Sequence, residues 1–280
     1  MFRRGREAPP EHGQNIQGDA GPVSASRRRQ AAMDPTIPYC GSAPLPEELW
    51  GRWNLDPVLL SVLALAALAH GWWLAREGRG RQARFALAGW LALLAAFVSP
   101  LCALSSALFS ARVAHHMLLV AVAAPLLAAG LPPGRGGGGR ALFPTLAGAQ
   151  AVLLWFWHAP APYAAALGSD ALYWLMELSL LFPALMLWHA VLSPERPAGP
   201  ALAALLFTTM QMGLLGALLT FAGQELYAPH LATTAPFGLS PLEDQQLAGL
   251  IMWVPASLPY LAVALFRLAG LLGTEDRRAA

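Results

Sequence analysis

Unbroken apolar stretches of about 20 residues recur along the whole chain, and few folds can accommodate them. They run over roughly 56–75, 84–104, 112–131, 144–167, 170–192, 200–222 and 241–268. A helix crossing the ~30 Å hydrocarbon core of a bilayer needs a run of this length, whereas a soluble core shows shorter amphipathic stripes. Composition agrees. Of the 280 residues, 56% are hydrophobic and 12% charged, with a mean hydropathy of +0.47. A soluble domain carries roughly 25% charged residues to coat its surface. The chain therefore reads as all-α, a polytopic membrane helical bundle of about seven transmembrane helices.

Local signals sharpen some boundaries. Asp56 is suited to cap the first helix, with Pro57 at its first position. Ser240-Pro241-Leu242-Glu243 has the form of a capping box opening the last span. Pro160 and Pro162 interrupt the fourth, and Gly-rich 132–140 separates the third from the fourth. Residues 1–54 read as a disordered polar N-terminal segment, of which 1–32 lack the apolar region of a signal peptide and Met33 offers an alternative start. Residues 55–270 form the transmembrane domain and 271–280 a short tail.

All 18 basic residues are arginine, and they are unevenly placed. Arg76, Arg79, Arg81, Arg84, Arg135, Arg140, Arg196, Arg267, Arg277 and Arg278 fall on one side of a seven-span topology. Apart from the N-terminal segment, the other side offers Arg112. Arginine marks the cytoplasmic face, which predicts an extracytoplasmic N-terminus and a cytoplasmic C-terminus in a bacterial inner (plasma) membrane. The absence of lysine excludes a retinal Schiff base. A net charge of +2 gives no reason to expect nucleic acid. Cys40 and Cys102 make no C-x-x-C motif and suggest no disulfide framework.

Polar groups inside a bilayer are costly and mark function by default. With that orientation Cys102, His115, His116, His158, Met176, Glu177 and Met252 all fall in the outer half. Imidazole, thioether and thiolate together suit copper, above all Cu(I). His115, His116, His158, Glu177 and Met252 are thus candidate copper ligands. Each also has a structural reading. His158 can satisfy carbonyls freed by the following prolines, and His115 can lie at the interface. His70 and His189, at the inner ends, read as helix-end residues, methionine as a gap-filler, and Glu177 as a hydrogen-bonded packing residue. Gly213 and Ala217 form a small-x-x-x-small pair, and Gln211 needs a partner on another helix.

The stretch Ser240-Pro241-Leu242-Glu243-Asp244-Gln245-Gln246-Leu247-Ala248-Gly249-Leu250-Ile251-Met252-Trp253 resembles the CtaG family of cytochrome c oxidase assembly factors. Trp157-His158-Ala159-Pro160 with Tyr163, Gly213-Leu214-Leu215-Gly216-Ala217, Leu226-Tyr227-Ala228-Pro229-His230 and His116-Met117-Leu118-Leu119 extend the resemblance from about 50 to 265. It implies a role in building haem–copper oxidases, with oxidase subunits and membrane lipid as partners and copper as a possible cargo. His116, His158, Glu243, Asp244, Gln245, Gln246, Met252 and Trp253 match family positions. One position departs: where the family often shows His-x-x-x-His, the first histidine is Arg112, a guanidinium that cannot ligate a metal and repels a cation.

Two other classes compete with this reading. A membrane enzyme would use Glu177 and His158 as acid and base, but neither G-x-S-x-G nor H-E-x-x-H is present. A copper or small-solute transporter would show paired broken helices, and only the fourth span is visibly interrupted.

Overall fold

The computed structural model describes residues 37–133 and 141–279, with side chains as far as 272. Among these residues the regular structure is entirely helical. The helices are α1 (Pro57–Arg76), α2 (Gly80–Phe97), α3 (Pro100–Ala107), α4 (Phe109–Gly130), α5 (Leu142–Trp157), α6 (Pro160–Leu167), α7 (Asp170–Leu192), α8 (Ala198–Thr220), α9 (Pro241–Trp253) and α10 (Leu258–Ala279). Five stretches are long and apolar enough to cross a membrane: α1, α4, α7, α8 and the α9–α10 pair as far as Leu272. A sixth is the pair α2–α3, bent by 44°. The shorter apolar helix α5 occupies the remaining apolar block. This is a membrane protein, and its exposed Val58, Val62, Leu65 and Leu68 on α1 are what a lipid-facing helix presents.

Each departure from a straight helix has a local cause. Pro100 cannot continue α2, and Ser99 caps α3 by accepting from the Leu101 amide. In α4 the turn Leu118–Ala123 is widened just ahead of Pro125, whose ring removes a donor from the ladder. The Val120 carbonyl in that turn is taken by the Trp188 indole at 2.8 Å and the Tyr260 hydroxyl at 3.4 Å. α5 stops at Trp157, and α6 restarts with Pro160 at its first position.

The expected caps form. Asp56 accepts from the Val58 and Leu59 amides, and Ser240 and Glu243 make a reciprocal capping box. The small-residue contact is shifted from its expected place. Gly213 has ordinary space beside Trp253, whereas a side chain on Gly249 would run into the Gly216 carbonyl and Thr220. The close crossing is therefore Gly216 against Gly249, between α8 and α9 of one chain. Gln211 finds its partner in the Trp155 indole at 3.1 Å.

Residues 37–54, expected to belong to a disordered segment, are folded onto the bundle. Cys40 and Cys102 form a disulfide, contrary to the expectation of no disulfide framework. Tyr39 donates to Asp56 at 2.7 Å and stacks on Tyr173 at 4.9 Å between ring centroids. The pairing escaped sequence spacing because the two cysteines lie 62 residues apart. The expectation for 1–32 lies outside the described residues.

These contacts define two ends of the bundle. At one end, the disulfide, the starts of α4 and α7 and the loop 223–240 gather: Asn54 donates to the Phe97 carbonyl, and Thr233 to the Ala107 carbonyl. At the other end, the start of α2, the ends of α4 and α7 and α10 meet around Arg81 and Arg267. Here His70 and His189 play the structural parts expected of them. His70 lies 3.3 Å from the Gly130 carbonyl, and His189 donates to the Pro132 carbonyl at 2.7 Å.

Candidate metal centre

Arg112, His115 and His116 stand at i, i+3 and i+4 on α4, a spacing that gives three side chains one helix face. His115 and His116 lie six and seven residues into α4, and Glu177 lies seven into α7. At ~1.5 Å per residue both sets sit about 10 Å below the disulfide end, so two parallel helices bring them level. The Arg112 Nη1 donates to Glu177 Oε1 at 3.2 Å. His116 Nε2 lies 3.4 Å from the same oxygen, and His115 Nδ1 lies 3.6 Å from Oε2. All four residues are buried, at 0–1% exposure.

Aromatic side chains wall the cluster. The Arg112 guanidinium lies 5.2 Å from the Tyr173 ring centre, an arrangement in which the ring face adds to the attraction on the cation. Phe97 meets His115 edge-on at 5.1 Å. His158 meets His116 edge-on at 5.5 Å. The His158 Nδ1 donates to the Leu154 carbonyl at 2.7 Å, which fixes its tautomer and leaves a lone pair on Nε2. The ring thus bonds the backbone, but at a carbonyl that already accepts from the His158 amide at 3.2 Å rather than at one freed by Pro160 or Pro162.

A second shell of hydrogen bonds holds α4 in place. Its first residues have no capping side chain of their own. Asp244 supplies one from α9, accepting from the Phe109 amide at 2.6 Å, the Ser110 amide at 3.1 Å and the Ser110 hydroxyl. Gln245 accepts from the Leu226 amide at 2.8 Å and donates to the Gln224 carbonyl at 3.3 Å, pinning the loop above. Tyr163 donates to His230 Nε2 at 2.7 Å, and His230 Nδ1 donates to the Ala107 carbonyl at 3.2 Å. Burial pushes His230 down to about 4, with the Arg112 charge acting in the same direction. Glu243 serves its capping box. The Gln246 carbonyl accepts from Thr220 at 3.5 Å, and Trp253 packs beside Gly216.

Of the residues singled out from sequence, His115, His116 and Glu177 form one group whose ligand atoms lie within 4.8 Å of one another. His158 stands beside His116. Met252 is fully buried in α9. Cys102 is withdrawn from any ligand set, since its sulfur is bonded to Cys40; thiolate therefore leaves the donor list. Sequence reasoning missed Arg112 as the partner of Glu177, although the i, i+3, i+4 spacing was there to be read. It also missed Tyr173, which contacts both Arg112 and Cys40.

The chain matches the model of the cytochrome c oxidase caa3 assembly factor family (Caa3_CtaG) over residues 62–135 and 139–272. The chain belongs to this family. Comparisons with curated proteins and with solved structures found no match. Within this Caa3_CtaG chain, the family match spans the cluster, the α8–α9 crossing and the Asp244 cap.

Buried polar atoms without a partner concentrate at this cluster. Both ring nitrogens of His115 and His116, the His158 Nε2, the Glu177 Oε2 and the Arg112 Nε and Nη2 are buried with no hydrogen-bond partner. Among the described residues, most such orphaned atoms belong to this one place. Leaving a buried polar atom unpaired costs about 1–3 kcal/mol, so a ligand that engages several at once gains their combined demand.

Proposed function

We propose that this chain supports assembly of a haem–copper cytochrome c oxidase by holding one copper ion transiently at His115, His116 and Glu177 and passing it to an oxidase subunit. The concentration of unpaired imidazole and carboxylate atoms in one buried cluster carries this reading. Copper here is cargo, and the family membership supports the destination. No bond-making chemistry is assigned to the chain.

Charge selects the oxidation state. Arg112 and Glu177 cancel, and two neutral imidazoles add nothing, so the pocket tolerates one added positive charge far better than two. Imidazole suits copper in either state, and the charge balance then favours Cu(I). Arg112 takes on a definite part in this scheme. It holds Glu177 when cargo is absent, and releases one carboxylate oxygen as copper arrives.

The disulfide end is the side from which copper would come and go. Disulfides persist in oxidising compartments, and the arginine-rich opposite end suits the cytoplasm; the two signals support the same orientation, with seven spans and an extracytoplasmic site. The acid–base reading is less well supported, because Glu177 is engaged by Arg112 and one nitrogen of His158 by the Leu154 carbonyl.

The test joins binding to assembly. Purified protein in lipid nanodiscs is titrated anaerobically with Cu(I) against a chromophoric chelator, as wild type, H115A/H116A and E177Q. In parallel, a deletion strain carrying each version is scored for oxidase copper and haem. One equivalent of Cu(I) lost in H115A/H116A, with copper-poor but haem-replete oxidase, is the expected result. Full oxidase copper in that variant would overturn the copper role and leave family membership intact.

A further inference from the structure

At the arginine end the bundle leaves a cavity of about 480 Å³ between the start of α2, the ends of α4 and α7, and α10. It lies within the ~300–1,000 Å³ range of small-ligand sites. Its walls are of two kinds. Arg81, Gln82, His189 and Arg267 supply polar groups, while Phe85 and Phe266 supply exposed aromatic surface. Among the described residues no carboxylate lines it.

The basic side is partly pre-organised. Arg267 donates to the Ser193 carbonyl at 3.4 Å and the Arg196 carbonyl at 2.7 Å, which fixes its guanidinium at the end of α7. His189 is tied to the Pro132 carbonyl. Arg81 is exposed. Nearby, Arg76 lies over Trp72 at 4.0 Å and Arg79 over Trp73 at 5.6 Å, a pattern of cation and aromatic that marks a membrane–water interface. A soluble anion would leave the aromatic walls unfilled, and a zwitterionic lipid would bring a second cation beside the guanidinium groups.

We propose that this cavity seats the headgroup of an anionic phospholipid, its phosphate facing Arg81 and Arg267 and its acyl chains lying along Phe85 and Phe266. Such a lipid bridges four helices, and so holds α4 from below as Asp244 holds it from above. The site is independent of the copper reading.

The probe is phosphatidylglycerol, compared with phosphatidylcholine, in nanodiscs of the full chain, read by retained lipid after exchange and by thermal unfolding. Inorganic phosphate and glycerol phosphate form a separate arm. Arg81→Gln is set against Arg84→Gln, an exposed arginine outside the cavity. Wild type and R84Q should retain phosphatidylglycerol over phosphatidylcholine, and R81Q should lose about fivefold of that preference, the scale of one guanidinium at a membrane surface. Equal losses in R81Q and R84Q would reduce the effect to general surface charge and overturn the site. Phosphate alone matching phosphatidylglycerol, or no preference between the two lipids, would overturn it as well.

Discussion

Arg112 changes meaning between one residue and its surroundings. Read in isolation at a position where the family often has histidine, a guanidinium argues against metal. Paired with Glu177 at 3.2 Å inside a buried cluster, it becomes the group that makes a carboxylate tolerable there. Removing one member of a buried ion pair typically costs about 3–5 kcal/mol, because the other is left uncompensated. Arg112→Met should therefore lower the thermal unfolding midpoint sharply. Arg112→His should cost less, and it should also strengthen Cu(I) retention, since it adds an imidazole one turn from His116 and frees Glu177. Thermal unfolding and Cu(I) competition on the same two variants check both halves. Equal destabilisation by the two, with no gain in copper retention by Arg112→His, would show that Arg112 serves packing alone.

Elements were legible where their determinants are local. Asp56 before Pro57, the Ser240–Glu243 box and the proline break after His158 each sit within a few residues of the feature they create. What escaped is what joins distant segments. The cap of α4 comes from Asp244, 134 or 135 residues away from the amides it receives, and Cys40 reaches Cys102 across 62. Neither separation leaves a periodic trace. The candidate site was half legible for the same reason: the outer-half histidines and Glu177 could be placed by depth, but not that Arg112, His115 and His116 all meet on Glu177. The Asp244 cap explains why an acidic residue stands in the motif at that position, since its carboxylate receives two amides and a hydroxyl at the start of the helix bearing the cluster. Asp244→Ala should cost about 1–3 kcal/mol, the loss expected when buried donors lose a charged acceptor, and should loosen the first turns of α4. Asp244→Asn, which retains an acceptor, should cost less. Amide exchange at 109–112 measures this directly; unchanged protection in Asp244→Ala would show that α4 is held by packing without its cap.

The molecule as a whole is polarised, and its two ends differ in chemistry more than in shape. One end carries a disulfide, a folded N-terminal strap and a buried group of imidazole and carboxylate; the other carries arginines, exposed tryptophan and a basic cavity. A disulfide requires an oxidising compartment to persist, and arginine is retained on the cytoplasmic side during insertion. These two pressures are independent, and both favour the orientation proposed above. The consequence is a topology that labelling can decide. In a variant whose native cysteines are replaced by serine, a single cysteine at Phe237, in the loop between α8 and α9, should react with a membrane-impermeant maleimide in intact cells. A cysteine at Glu195, between α7 and α8, should react only after the membrane is opened. The reverse pattern would put the His115–His116–Glu177 cluster nearest the cytoplasm and the basic cavity outside. It would also leave the disulfide in a reducing compartment, so the copper route proposed here would have to run from the other face.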